Sequence, residues 1–264
     1  MARILVFDSG VGGLSLVPAL RVAVPTATLV YVSDNAFFPY GLRAAEDVAA
    51  RVETVLAGLQ PRLAPDLLVV ACNTASTVAL PALRSRLAVP VVGVVPAIKP
   101  AAERTASGCI ALLATPATVA RPYTQQLIEQ FAPHCEVIRL GCSELVELAE
   151  RKLRGVSPDP GRMATLLAPI RRHPRAADLD TVVLGCTHFP LLQPELAAAF
   201  GRAVHWLDSS AAIARRAAHL LAHISPEQSA EEEFAIFTAP CGDLAALTPA
   251  LQARGCARFE IIPV

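Results

Sequence analysis

Lysine is almost missing from this chain. Only Lys99 and Lys152 occur among 23 basic residues, and the rest are arginine. The shortage matters for chemistry, because a pyridoxal phosphate enzyme needs a lysine for its Schiff base. An excess of charge of either sign is missing too: 23 basic and 23 acidic residues give a formal net charge of zero. No strongly basic face is expected, which argues against nucleic acid or an anionic membrane as the main partner. No apolar run approaches the ~18 residues of a membrane span. The first apolar run, Ile4 to Phe7, stops at Asp8, so no signal peptide is expected and the cytoplasm is the expected location. Close-spaced cysteine pairs are absent as well. The seven cysteines, at 72, 109, 135, 142, 186, 241 and 256, include no C-x-x-C. The usual zinc spacing is therefore lacking, no metal site is expected, and free thiols are the default in a reducing compartment.

What is present is a large apolar majority. At 264 residues and 53% hydrophobic, the chain can bury one large core or two modest ones. Short aliphatic runs alternate with helical patterns. Strands are expected at 4–7, 29–32, 67–71 and 91–95, with helices from about 14, from about 45, and over 74–87. The pattern then restarts. Strands are expected at 110–114, 137–140, 181–185 and 204–207, with helices reaching 131, running through about 152, and over 162–172. Residues 155–161 read as a loop. A helix over 211–223 follows, then a polar linker with an acidic patch over 225–233. Late strands at 234–238 and 259–262 flank a short helix. Unbroken aliphatic strands between helices point to parallel sheets covered on both faces. The shared order of elements in 3–95 and 109–207 reads as an internal duplication. The expected fold is α/β, with two pseudo-symmetric domains, mainly parallel sheets and an active site between them. The domains are placed at 1–97 plus 208–264, and at 98–207.

The duplication is sharpest around two cysteines. Asp180 to Leu192 reads DTVVLGCTHFPLL, and Asp66 to Leu80 reads DLLVVACNTASTVAL. Asp66 aligns with Asp180 and Cys72 with Cys186, both at an offset of 114 (180 − 66 and 186 − 72). Buried cysteine usually just packs, and that reading serves for Cys109, Cys135, Cys241 and Cys256, and leads for Cys142. Cys72 and Cys186 differ, because each is expected between a strand and a helix N-terminus. Backbone amides and the helix dipole there favour thiolate. Paired thiols can form a disulfide, hold a metal, or act as two bases on opposite faces of a carbon. Parallel α/β sheets bind ligands at the carboxyl ends of their strands, where these polar clusters fall.

Asp8-Ser9-Gly10-Val11-Gly12-Gly13 imitates a dinucleotide loop, with Asp34 in the place of the ribose-binding acid. The third glycine of G-x-G-x-x-G would fall on Ser15, and an acid precedes the loop. The better reading is a tight turn that presents Asp8 and Ser9 to a small ligand, with amides free for a carboxylate. His188, two residues after Cys186, is either a capped structural residue or a partner of the thiol. Asp208-Ser209 reads as a helix N-cap.

Taken together, four motifs resemble the glutamate racemase family of cofactor-independent Asp/Glu racemases. They are Asp8 to Leu14, Pro39-Tyr40-Gly41, Ala71 to Ser76 and Gly185 to Pro190, in order along the chain. The resemblance implies an isomerase that makes D-glutamate for peptidoglycan without a cofactor. It implies that Cys72 acts on D-glutamate and Cys186 on L-glutamate. Asp8 stands beside the first thiol and His188 beside the second, and Glu150 matches an assisting acid that could equally be an exposed helix residue. Ser9, Tyr40, Gly41, Asn73, Thr74 and Thr187, with Asp8 and His188, match substrate-binding positions. Thr115 and Thr118 match less well, and Asp34 matches a further acid without an assigned role. A homodimer is also implied. Val94 to Lys99 resembles the branch activated by UDP-N-acetylmuramoyl-L-alanine. That branch often carries an N-terminal extension and this chain starts on its first strand, so activation is left open. The alternatives are racemisation of aspartate or isomerisation of a small diacid, a binding or regulatory protein without turnover, and a Rossmann dehydrogenase.

Overall fold

A computed structural model describes residues 1–223 and 233–264. The chain divides into two compact units, Met1–Val94 with Ser210–Val264, and Val95–Ser209. Every strand pair in both is parallel.

The first unit is a six-stranded sheet in the order β10-β9-β2-β1-β3-β4. Its strands are β1 (Arg3–Asp8), β2 (Thr28–Ser33), β3 (Leu67–Val70), β4 (Val91–Gly93), β9 (Phe234–Phe237) and β10 (Arg258–Ile261). Helix α2 (Ala45–Leu63) covers one face together with α3 (Asn73–Arg86), packing Val48, Val52, Leu56 and Leu59 on Leu5, Phe7, Val30 and Leu68. Each such aliphatic side chain stabilises the fold by roughly 1.5–3 kcal/mol. Alternate strand residues Ile4, Val6, Leu67 and Val69 are buried on the other face. There α1 (Val17–Ala23) packs against α10 (Ser210–Leu221), and α10 in turn against β3 and β4. Helix α11 (Leu244–Gln252) connects β9 to β10.

The second unit is a four-stranded sheet in the order β6-β5-β7-β8. Its strands are β5 (Cys109–Ala114), β6 (Glu136–Gly141), β7 (Thr181–Leu184) and β8 (His205–Leu207). Matching β5 to β1, β6 to β2, β7 to β3 and β8 to β4 reproduces the central strand order β2-β1-β3-β4 of the first sheet. The duplication is thus one of topology as well as wording. Its helices are α4 (Ile98–Arg104), α5 (Pro116–Ala120), α6 (Pro122–Phe131), α7 (Glu144–Leu153), α8 (Pro160–Arg171) and α9 (Gln193–Phe200).

Several elements differ from the sequence-based expectation. Helices α4 and α9 were not anticipated, because both are short and lack a clear apolar period. The helix expected to reach Phe131 is broken at Arg121, which is extended (ψ 136°) because Pro122 follows it. The loop over 155–161 ends early, since the Asp159 carboxylate caps α8 by accepting from Arg162 N at 2.7 Å. The linker expected over 225–233 lies outside the described residues apart from Glu233. That residue is not a free acid: it pairs with Arg21 (3.0 Å) and accepts from Leu29 N (3.1 Å). Ser209 donates its hydroxyl to the Val95 carbonyl, joining the two ends of the second unit. Among the described residues, no helix is long and apolar enough to cross a membrane.

The duplicated aspartates lie at the edge opposite the cysteines. Asp66 accepts from Arg3 N at 2.7 Å. Asp180 accepts from Thr105 Oγ1 (2.7 Å), Ala106 N (2.8 Å), Ser107 N (2.9 Å) and Thr181 Oγ1 (2.8 Å). Burial would raise the Asp180 pKa, but these donors outweigh it and hold the carboxyl well below its usual range. A depressed native pKa stabilises the fold above the unfolded value of about 3.9 and is lost as pH falls below it. Asp180→Asn is therefore expected to cost about 1–3 kcal/mol at pH 7, read as a lower urea midpoint. The gap to wild type should close below about pH 4.

Candidate active site

In the first unit the predicted residues converge at the carboxyl edge of the sheet. The β1–β3 register pairs Phe7 with Val70, and Ala71 N donates to Phe7 O at 2.7 Å. Asp8 and Cys72, one or two residues beyond that pair, therefore leave their strands side by side. Cys72 is the N-cap residue of α3, with extended backbone (φ −74°, ψ 120°), so its thiol stands at the positive end of a 14-residue helix. Its Sγ lies 3.8 Å from Ser9 Oγ, and Ser9 Oγ donates to Asp8 Oδ1 at 3.2 Å. Thiol, hydroxyl and carboxylate form a short relay.

Asp8 also accepts from Gly10 N at 3.0 Å. One of the loop amides expected to stay open for a carboxylate is thus used by the loop itself. The glycine-rich turn continues as a 3-10 turn over Gly12–Ser15, and a Cβ at Gly13 would stand 3.0 Å from Asp8 Oδ2 and from Ala71 Cβ. Glycine there lets the turn close on the acid.

Asn73 and Thr74 open α3 and are buried. Asn73 Oδ1 is a buried acceptor with no hydrogen-bond partner among the described residues. A buried amide oxygen left so is costly unless a ligand donor reaches it. Tyr40 and Gly41 lie in the 3-10 turn Tyr40–Leu42, where Tyr40 is buried and Gly41 half-buried. The Tyr40 hydroxyl donates to Asp34 Oδ2 at 2.6 Å, and its oxygen keeps acceptor capacity. Burial, then the Asp34 carboxylate, raise its pKa far above 10, and it stays a neutral donor.

Asp34 itself is fully buried and held on every side. Arg51 grips it with Nε (2.9 Å) and Nη2 (2.6 Å), and Thr238 donates at 2.6 Å. The cluster joins β2, α2, the end of β9 and the Tyr40 turn. Neither Arg51 nor Thr238 had been singled out in the sequence, and no local spacing signals them.

In the second unit Cys186 lies two residues beyond β7, as Cys72 does beyond β3. Gly185 N donates to Leu113 O at 2.8 Å, the counterpart of the Ala71–Phe7 bond. The local continuation differs, however. Cys186 does not cap an α-helix: His188 is the N-cap residue of a four-residue 3-10 turn, Phe189–Leu192, and α9 starts only at Gln193. Pro190 shapes this turn, and its shortness leaves little dipole to act on the sulfur. The positive charge beside Cys186 comes from a side chain instead. His188 Nδ1 lies 3.8 Å from Cys186 Sγ, and its Nε2 lies 2.9 Å from Glu150 Oε1. Burial would lower the His188 pKa, but the hydrogen bonds to Cys186 and Glu150 prevail and raise it well above 6.5. Glu150 is thus no exposed helix acid. Arg154 donates to it at 2.6 Å, an i,i+4 pair on α7 that the sequence spacing could have signalled. Thr187 is buried beside Cys186, while Thr115 and Thr118 bond each other at 3.0 Å where Thr115 caps α5.

The other cysteines stand in different surroundings, as where Cys109 Sγ donates to the Arg175 carbonyl at 3.5 Å. None of the seven cysteines forms a disulfide among the described residues. Burial raises the pKa of Cys109, Cys135 and Cys142, and pushes Cys256 up to about 11, which makes them poor nucleophiles.

The Asp/Glu/Hydantoin racemase profile matches residues 14–217. The chain belongs to that family. It is 49% identical over 262 residues to the glutamate racemase of Salmonella enteritidis, covering 99% of this chain and 92% of the relative. Among solved structures it resembles Escherichia coli glutamate racemase in complex with L-glutamate and the activator UDP-MurNAc-ala. The TM-score is 0.95 at 47% identity, covering 100% of this chain and 98% of that one. Glutamate racemase from Thermus thermophilus in complex with beta-chloro-D-alanine matches with a TM-score of 0.76 at 31% identity, over 100% and 97%. This member of the racemase family is accordingly an amino-acid racemase with two parallel sheets. Its two thiols sit at topologically equivalent strand exits, each linked to a carboxylate through one intermediate side chain.

Proposed function

We propose that the protein interconverts L- and D-glutamate by two-base proton transfer, without a cofactor. The reading is carried by Cys72 and Cys186 at equivalent exits of β3 and β7, in a chain 49% identical to a glutamate racemase. In the L to D direction, the Cys186 thiolate takes the Cα proton and the resulting carbanion is protonated on its opposite face by the Cys72 thiol. The enzyme is left with a Cys186 thiol and a Cys72 thiolate, which is the form that accepts D-glutamate. Asp8 with Ser9, and His188 with Glu150, exchange protons with these sulfurs and match their charge to the step. Asn73 Oδ1 is suited to the substrate ammonium, with Ser9, Thr74 and Thr187 as hydroxyl donors to its carboxylates and the Gly41 backbone beside them. In this reading the product is D-glutamate for peptidoglycan, made in the cytoplasm by a homodimer.

A circular-dichroism time course with L-glutamate tests the proposal. Ellipticity should decay to zero as the racemate forms, and the same course with L-aspartate should stay flat. A constant signal with bound glutamate would instead indicate a binding protein. The E. coli structure holds UDP-MurNAc-ala as activator. Adding that nucleotide to the same assay is expected to raise the rate here.

A further inference from the structure

Helix α7 carries more than one group toward the turn that follows Cys186. Arg154 uses a single nitrogen, Nη1, to hold both the Glu150 carboxylate (2.6 Å) and the Glu150 carbonyl (2.7 Å). The other carboxylate oxygen faces His188 Nε2 at 2.9 Å. Arg154 and Glu150 are mostly buried, with side chains 20% and 12% exposed, so this ion pair is little screened by water. Charged groups reach this turn from three elements. Cys186 approaches His188 from the exit of β7, and Glu150 and Arg154 from α7. Lys152 of α7 donates to the Leu191 carbonyl at 2.7 Å and pairs with Glu195 of α9 at 2.7 Å. Those two fasten the turn to α7 and neutralise each other.

We infer that Arg154 is a positioning residue for the Cys186 half of the reaction: it locks the Glu150 carboxylate against His188, and so keeps an imidazolium beside the sulfur. The argument is geometric. A glutamate near the end of a helix has three free torsions, and the observed arrangement puts Oε1 2.9 Å from His188 Nε2. The second oxygen and the helix carbonyl, both gripped by one guanidinium nitrogen, remove the alternatives. The contact of Arg154 that bears on the thiol runs through Glu150 and His188. The inference rests on the two-base reading for its effect on rate, but not for its effect on His188.

The sign of one measurement decides it. Imidazole titration by nuclear magnetic resonance, with His188 assigned by its loss in His188→Gln, reads the midpoint directly. A cation that acted merely as a nearby charge would repel imidazolium, and its removal would raise the midpoint. A cation that positions the carboxylate does the opposite: in Arg154→Gln the His188 midpoint falls by about one pH unit. Arg154→Lys should keep the wild-type midpoint, since one nitrogen makes both contacts. In a Glu150→Gln background, Arg154→Gln should produce no further fall. A midpoint that rises or stays fixed in Arg154→Gln overturns the inference, as does a further fall in the double variant. Racemisation by Arg154→Gln is expected to drop roughly tenfold at pH 7, equally from either enantiomer, because their equilibrium constant is unity. A fallen midpoint with unchanged racemisation would leave Arg154 as the positioner and remove His188 from the proposed reaction.

Discussion

Cys72→Ala and Cys186→Ala each lose racemisation of glutamate by at least about a thousandfold, while the fold survives. General acid–base groups contribute roughly 10²–10⁴-fold each, and in the proposed reaction one thiol cannot do the other's work. Each sulfur stands at its own strand exit, and in the proposed reaction each serves one face of Cα. Both thiols are nearly buried, at 6% and 7% exposure, but alanine leaves only a small void at a polar edge. Matched urea midpoints for the variants and wild type would confirm that chemistry, and not folding, was lost.

Deuterium oxide makes the same experiment mechanistic. Wild-type enzyme should place solvent deuterium at Cα of the product enantiomer in its first turnovers, with the remaining substrate still protiated. Label appearing equally in substrate and product from the start would indicate one base serving both faces, and would sink the two-thiol account. Either alanine variant should still bind glutamate, since Asn73, Thr74 and Thr187, the proposed substrate contacts, are untouched.

The largest expected effect on stability falls on Arg51. The Asp34 carboxylate is fully buried and the Arg51 guanidinium is the cation held against it. Arg51→Met leaves the carboxylate with two hydroxyl donors, Tyr40 and Thr238, and no countercharge there. Breaking a buried pair in this way costs about 3–5 kcal/mol. A loss under about 1 kcal/mol in urea denaturation would show that the pair is not the clip described here. Asp34→Asn in the same background should recover part of the loss, because an amide needs no cation. The activity readout separates stability from chemistry. If Asp34 only holds the Tyr40 turn, Asp34→Asn retains kcat at temperatures where it is folded, and a rise in KM is the expected penalty. A collapse of kcat in folded protein would return Asp34 to the reaction.

How far the amino-acid order alone leads can be judged from particular elements. Strand runs such as Leu67–Val70 and, after the β-branched Thr181, Val182 to Leu184 are unbroken and aliphatic, so their burial on both faces follows from composition and length. The repeat of such runs, each ending two residues before a cysteine, carried the α/β class, the duplication and the candidate thiols. Helices α4 and α9 escaped because seven or eight residues, started around proline, hold too few turns for a period to register. Cys186 was misplaced on a helix N-terminus because Thr187-His188 copies the position of Asn73-Thr74. Pro190 turns the following residues into a 3-10 segment instead.

The partners of the functional groups were decided only in three dimensions. His188 and Glu150 are 38 residues apart, and they meet because α7 packs on the 3-10 turn after Cys186. Asp34 meets Arg51 across 17 residues and Thr238 across 204, through a parallel register that sets β9 beside β2. Periodicity reports which face of an element is buried, and says nothing of which neighbour it is buried against. That choice depends on strand order and crossover paths, which set whether an acid sits beside an imidazole, a guanidinium or water. The two cysteines could therefore be recognised from local wording. Their different electrostatic support, a helix terminus for Cys72 and a His188–Glu150–Arg154 chain for Cys186, arises from packing.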